Sequence, residues 1–81
     1  MYYVYILRCT DGSLYCGYTT DVEKRFEKHK SGKGAKYTKS HPPLEVVYKE
    51  EFENKSDALK RECEIKSMTR AQKEKLLGNI G

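Results

Sequence analysis

A chain of 81 residues that is 37% hydrophobic, 35% charged and 11% aromatic is enough for one domain, 1–81, and not for two. No apolar run approaches the roughly 20 residues of a membrane-spanning helix, the stretch from Tyr2 to Leu7 alternates like a strand rather than a signal peptide, and the aromatic and β-branched content is too high for disorder. A net charge of +4 suits a polyanionic partner, so the expectation is a cytoplasmic domain with no membrane role.

Tyr2–Cys9, rich in tyrosine and β-branched residues, predicts a strand; Thr10-Asp11-Gly12-Ser13 is a tight-turn signal, and 14–18 predicts a second strand closing a hairpin. Thr20-Asp21-Val22-Glu23 fits a capping box that opens a helix running to about Lys30, where Ser31-Gly32-Lys33-Gly34 stops it. A short helical turn over 35–39 ends at His41-Pro42-Pro43. A third strand follows over 44–52, then a helix over 56–67 capped by Asn54 or Ser56. Thr69-Arg70-Ala71-Gln72 opens a last short helix ending near Gly78. The order β-β-α-α-β-α-α predicts an α+β fold, a three-stranded antiparallel sheet flanked by helices.

Parity decides what the hairpin presents. A two-residue loop at Asp11-Gly12 makes opposed residue numbers sum to 23 and puts Tyr5 and Tyr15 on opposite faces. A three-residue loop, or a bulge, makes the sum even. Tyr3, Tyr5, Tyr15 and Gly17 then share one face, with Val4, Ile6, Leu14, Cys16 and Tyr18 on the other. The second arrangement separates an apolar face from a phenolic one and is the expected register.

On the first helix Val22, Arg25, Phe26 and His29 fall at i, i+3, i+4 and i+7, which sets Arg25 and His29 at the inward edge. On the second long helix Ala58, Glu62 and Ile65 share a stripe, with Leu59 and Cys63 one step round. A carboxylate on that stripe needs a partner, either Arg25 or a metal ion; Glu64 is expected to face solvent. Cys9, Cys16 and Cys63 cannot all pair and are expected as buried free thiols, and with His29 and His41 they show no zinc-ligand spacing. Residues 28–44 carry Lys28, Lys30, Lys33, Lys36 and Lys39 and no acid, the densest positive segment of the chain.

These residues resemble the GIY-YIG nuclease domain, most closely its small stand-alone bacterial members. Tyr3-Val4-Tyr5 stands where that family has Gly-Ile-Tyr, Tyr15-Cys16-Gly17 where it has Tyr-Ile-Gly, and Arg25, His29 and Glu62 follow in the family's order. The match runs from residue 2 to about 76. The resemblance implies magnesium- or manganese-dependent hydrolysis of a DNA phosphodiester with one ion, held by the position of Glu62. It further implies that Tyr15 helps deprotonate the attacking water, that Tyr5 and His29 orient water and phosphate, and that Arg25 neutralises phosphoryl charge. A phenol of ordinary pKa, about 10, is a poor base unless cations stabilise its phenolate.

The sequence departs from the family in two places: Tyr3 fills the first motif glycine, and Tyr18 stands where many catalytic members carry a lysine. Beside Gly17 the lysines Lys28, Lys30, Lys33, Lys36 and Lys39 are the expected nucleic-acid contacts. Five phosphate contacts would give a log–log salt slope of roughly −4. A branched or single-stranded DNA bound by a monomer, with no small-molecule cofactor, is the expected partner. The competing readings are a nucleic-acid-binding module without turnover and a protein adaptor using Glu50-Glu51-Phe52-Glu53.

Overall fold

The computed structural model describes the whole chain except residues 34, 35, 37–39 and 79–81. Of the helical turn expected over 35–39, every residue but Lys36 lies outside the described residues. In chain order the elements are strands β1 (Tyr2–Cys9) and β2 (Leu14–Thr19), helix α1 (Val22–Lys30), strand β3 (Pro43–Phe52) and helices α2 (Lys55–Lys66) and α3 (Arg70–Leu76). They build the expected α+β fold, an antiparallel sheet in the order β2-β1-β3.

The hairpin has the three-residue loop. Cys9 N–H donates to Ser13 O at 2.8 Å and Gly12 N–H to Cys9 O at 2.9 Å, with Gly12 at φ +86°, a conformation that suits glycine. Opposed residues therefore sum to 22: Tyr5 faces Gly17, Ile6 faces Cys16 and Leu7 faces Tyr15. Both faces of the central strand are covered, so Val4, Tyr5, Ile6 and Leu7 are all buried instead of alternating. Val4, Ile6 and Cys16 pack with Ala58 and Ile65 of α2, while Tyr5 and Leu7 pack with Val22 and Phe26 of α1. The tyrosine face is thus half core and half site, because Leu7 and Val22 close its far end.

β3 serves both layers through a register shift between Ile6 and Leu7, where Ile6 pairs with Tyr48 and Leu7 with Val46. Val46 joins the α1 side, and Val47 and Tyr48 join the α2 side. A charged network holds α2 against this strand. Arg61 Nε donates to Glu50 Oε1 at 3.0 Å, and Tyr48 Oη donates to the same oxygen at 2.7 Å. Glu50, still partly exposed, is thereby paired with both Arg61 and Tyr48.

The helix starts follow local chemistry. Asp21, not Thr20, caps α1: its carboxylate accepts the Lys24 N–H at 3.1 Å. The Thr19 hydroxyl accepts the Asp21 N–H at 3.2 Å, setting the cap one residue later than the Thr20–Glu23 box predicts. Asn54 rather than Ser56 caps α2, and Thr69 with Gln72 forms the expected capping box of α3. Cys9 and Cys16 are buried free thiols, but Cys63 is exposed, since its position on α2 is one step off the Ala58–Ile65 seam. Among the described residues no helix is long and apolar enough to cross a membrane.

Candidate active site

Tyr5 and Gly17 start the site because they face each other across β1 and β2. The missing side chain at Gly17 lets the phenol of Tyr5 cross over it. A Cβ there would stand 2.7 Å from Tyr5 Oη, 2.9 Å from Tyr5 Cζ and 3.3 Å from Tyr15 Cε2. Across that gap Tyr5 Oη shares a hydrogen bond of 2.9 Å with Nε2 of His29. His29 is buried on α1, seven residues from Val22 and on the same seam. The ring of Tyr15 stands edge-on to His29 with centroids 5.2 Å apart, and lies 6.4 Å from that of Tyr5.

Glu62 arrives from the other layer. α2 covers the opposite face of the sheet, but β2 is an edge strand, and the carboxylate reaches the same cleft around that edge. The cleft, about 240 Å³, is lined by Tyr5, Tyr15, Gly17, Tyr18, Arg25, His29 and Glu62. Tyr5, Tyr15, Gly17, Arg25, His29 and Glu62, the site residues carried over from the sequence, therefore line one cleft. Glu62 does not pair with Arg25, the partner weighed from the sequence. Its Oε2 lies 3.5 Å from Nζ of Lys66, one helical turn on, and its side chain is 16% exposed. Glu64 is exposed, as expected, and pairs with Arg61 at 3.1 Å.

The two sequence departures behave differently. Tyr3 lies outside the cleft, beneath Lys49, whose Nζ is 5.6 Å from the ring centroid. Tyr18 lines the cleft, and Lys55 Nζ stands 6.0 Å from its ring centroid. Lys66 is the residue that sequence reading missed. The Glu62-x-x-x-Lys66 spacing, a favourable i,i+4 order on a helix, was the available signal.

The electrostatics sort the titratable groups. Burial raises the Tyr5 phenol well above its ordinary value, with the neighbouring Tyr15 adding to the shift, so Tyr5 keeps its proton. Tyr15 is also raised, first by burial; Lys66 and Arg25 pull it down and Glu62 pushes it up. The cations that a phenolate needs are thus present but do not outweigh desolvation. Burial, and then Arg25, lowers the pKa of His29, which favours the neutral ring. The Cys16 thiol beneath the site is pushed up to about 11 by burial and by Glu62, which leaves it protonated and inert at neutral pH.

The lysines expected as phosphate contacts divide. Lys28 lines a neighbouring cleft, Lys30 is drawn to Glu27 at 3.9 Å, Lys33 and Lys36 are exposed, and Lys39 lies outside the described residues. Among the described residues no group of three or more His, Cys, Asp or Glu side chains could enclose a metal. One carboxylate, Glu62, lines the cleft, and it could give a divalent ion one protein ligand with water completing the shell.

The family model of the GIY-YIG catalytic domain matches residues 1–75. A UPF0213 protein of Staphylococcus saprophyticus is 57% identical over 76 residues, covering 94% of this chain and 93% of its own length. One from Natronomonas pharaonis is 53% identical over 78 residues, covering 96% and 92%. The solution NMR structure of a UPF0213 protein from Bacillus halodurans superposes with a TM-score of 0.63 at 50% identity, over 100% of this chain and 87% of that one. That of an E. faecalis protein superposes with a TM-score of 0.65 at 47% identity, over 96% and 83%.

Proposed function

Because this chain belongs to the GIY-YIG family of nuclease-type catalytic domains, we propose that it hydrolyses DNA phosphodiester bonds with one magnesium or manganese ion. The observation that carries the reading is the convergence of Tyr5, Tyr15, Arg25, His29 and Glu62, from two strands and two helices, on one cleft. Glu62 would hold the ion, which supplies Lewis-acid polarisation of the phosphate.

The chain's own residues do the rest. Tyr15, half-buried, would take a proton from the attacking water in its phenolate form, so the step calls for that minority form and quickens as pH rises. Lys66 and Arg25 favour its phenolate, against burial and Glu62. Arg25 offers a planar guanidinium to the phosphoryl oxygens as they gain charge. Tyr5 and His29 fix one another through their 2.9 Å hydrogen bond and hold the phosphate and water in place. In this reading these residues meet phosphate and metal and not base edges, and with it goes selection by DNA structure over sequence.

The test is incubation of the chain with branched, flapped and single-stranded DNA and Mg²⁺ or Mn²⁺. Cleavage is expected from the wild type. It should fall by about 100-fold or more in Tyr15→Phe, the scale of a lost general base, and be lost in Glu62→Gln. Cleavage that persists unchanged in both variants overturns the reading.

A further inference from the structure

Helix α1 is divided by charge along its length. His29 and Val22 form its buried seam. At helical spacing, Arg25, Lys28 and Lys24 follow on one side of that seam, and Phe26, Glu23 and Glu27 on the other. The two flanks line two different clefts. The first, about 340 Å³, is bounded by Thr19, Thr20, Asp21, Lys24, Arg25 and Lys28. Its one acid, Asp21, already accepts the Lys24 N–H as the helix cap. The second, about 450 Å³, is lined by Val22, Glu23, Phe26, Glu27, Val46 and Lys49. Lys30 belongs to that second flank, drawn to Glu27 at 3.9 Å and lying 5.4 Å from the Phe26 ring centroid.

Arg25 joins the cationic flank to the catalytic cleft, because it lines both. Lys24 and Lys28 stand one turn apart, about 6 Å along the axis, a spacing that matches neighbouring phosphates on one strand. A polyanion entering from the other flank would meet Glu23 and Glu27 beside Lys30 and Lys49, a flank with no net positive charge.

We infer that Lys24 and Lys28 form a landing shelf for a single DNA strand, gripping the phosphates next to the one presented to Tyr15 and Arg25. The shelf replaces Lys30 as the expected contact and adds Lys24, which the density of lysines in 28–44 hides. The inference rests on the hydrolytic reading only for which phosphate is cut. The grip itself is a binding property.

The experiment measures the affinity of the full chain for a labelled single-stranded oligothymidylate by fluorescence anisotropy, in EDTA, from about 50 to 200 mM salt. The pair Lys24→Gln/Lys28→Gln is compared with Lys49→Gln/Lys60→Gln, which removes the same charge elsewhere on the exposed surface. The shelf pair should lose about 1.4 from the magnitude of the log–log slope, roughly 0.7 per phosphate contact on a single strand. The control pair should keep the wild-type slope. Equal losses in both pairs, or no loss in the shelf pair, overturn the inference, as does a wild type that shows no salt-dependent binding. Shelf-dependent binding without magnesium-dependent cleavage supports the shelf and sinks the hydrolysis. Cleavage with a slope indifferent to Lys24 and Lys28 sinks the shelf alone.

Discussion

Tyr5 and Gly17 form a cross-strand pair in which one residue supplies the phenol and the other the space it occupies. The contact is close because the Tyr5 ring is buried and its hydroxyl is tied to His29. Gly17→Ala should therefore push the phenol off Nε2 instead of merely tilting a free side chain. The expected cost is about 1–3 kcal/mol, the range of overpacked cores, read by urea denaturation. The His29 imidazole resonances should shift at the same time. A variant with wild-type stability and unchanged imidazole signals would show that the glycine is dispensable.

His29 gives the fold a pH dependence whose sign is fixed. Burial and Arg25 hold its pKa below the ordinary 6.5. As pH falls below that value the unfolded chain takes up a proton that the folded chain still refuses. The unfolded state then binds more protons, so stability rises with pH across this window. It is complete above 6.5 and is lost on acidification until the folded ring itself titrates, at no more than about 1.4 kcal/mol per pH unit. Wild type should lose more stability than His29→Gln between pH 7 and 5.5 in urea titrations. Parallel losses would remove His29 as the cause.

How far the sequence reaches is clear from particular residues. Parity left two registers, and the one that separates apolar from phenolic side chains, with Tyr5, Tyr15 and Gly17 on one face, is the one the pairing of Tyr5 with Gly17 bears out. The Ala58–Glu62–Ile65 stripe was equally readable, since helical spacing fixes which residues face inward. What the chain does not declare is how the layers meet. That Glu62 reaches the phenolic cleft around β2, and that it pairs with Lys66 instead of Arg25, depends on β2 being an edge strand. Asp21 took the cap from Thr20 through the Thr19 hydroxyl, a side-chain contact outside the four-residue motif. Counting lysines by segment hid Lys24, because a helix sorts charge by face and not by density.

Lys66 holds the carboxylate that a divalent ion would need. Its ammonium lies 3.5 Å from Glu62 Oε2 and is 54% exposed, so the pair contributes at the scale of a surface ion pair, about 0.2–1 kcal/mol. Lys66→Met should tighten Mn²⁺ binding, read by the loss of free-ion EPR signal, by up to about fivefold, the equivalent of 1 kcal/mol. Glu62→Gln should abolish that binding. Because Lys66 also lowers the Tyr15 pKa, the same variant should move the phenol's titration to higher pH, visible in the ultraviolet difference spectrum. Weaker Mn²⁺ binding in Lys66→Met would mean that the lysine supports the ion site instead of competing for it.

The C-terminal helix is tied to the hairpin by one arginine and one glutamate. Arg70 Nη2 donates to Gly12 O at 2.7 Å and its Nε to Glu74 Oε2 at 2.9 Å, while Glu74 Oε1 lies 3.6 Å from Arg8 Nη2. This clasp holds Met68, Leu76 and Leu77 over the core of Val4, Ile6 and Ile65, on the face of the sheet away from the Tyr5–His29 hydrogen bond. Arg70→Ala removes both hydrogen bonds without opening a cavity, at a cost of about 0.5–1.5 kcal/mol. Amide exchange should quicken in α3 and in the Thr10–Ser13 turn while staying slow in β1. Because none of these residues lines the cleft, DNA cleavage at 25 °C should stay at the wild-type rate. Exchange quickening in β1 as well would mean that α3 closes the whole core and is not a separately docked element.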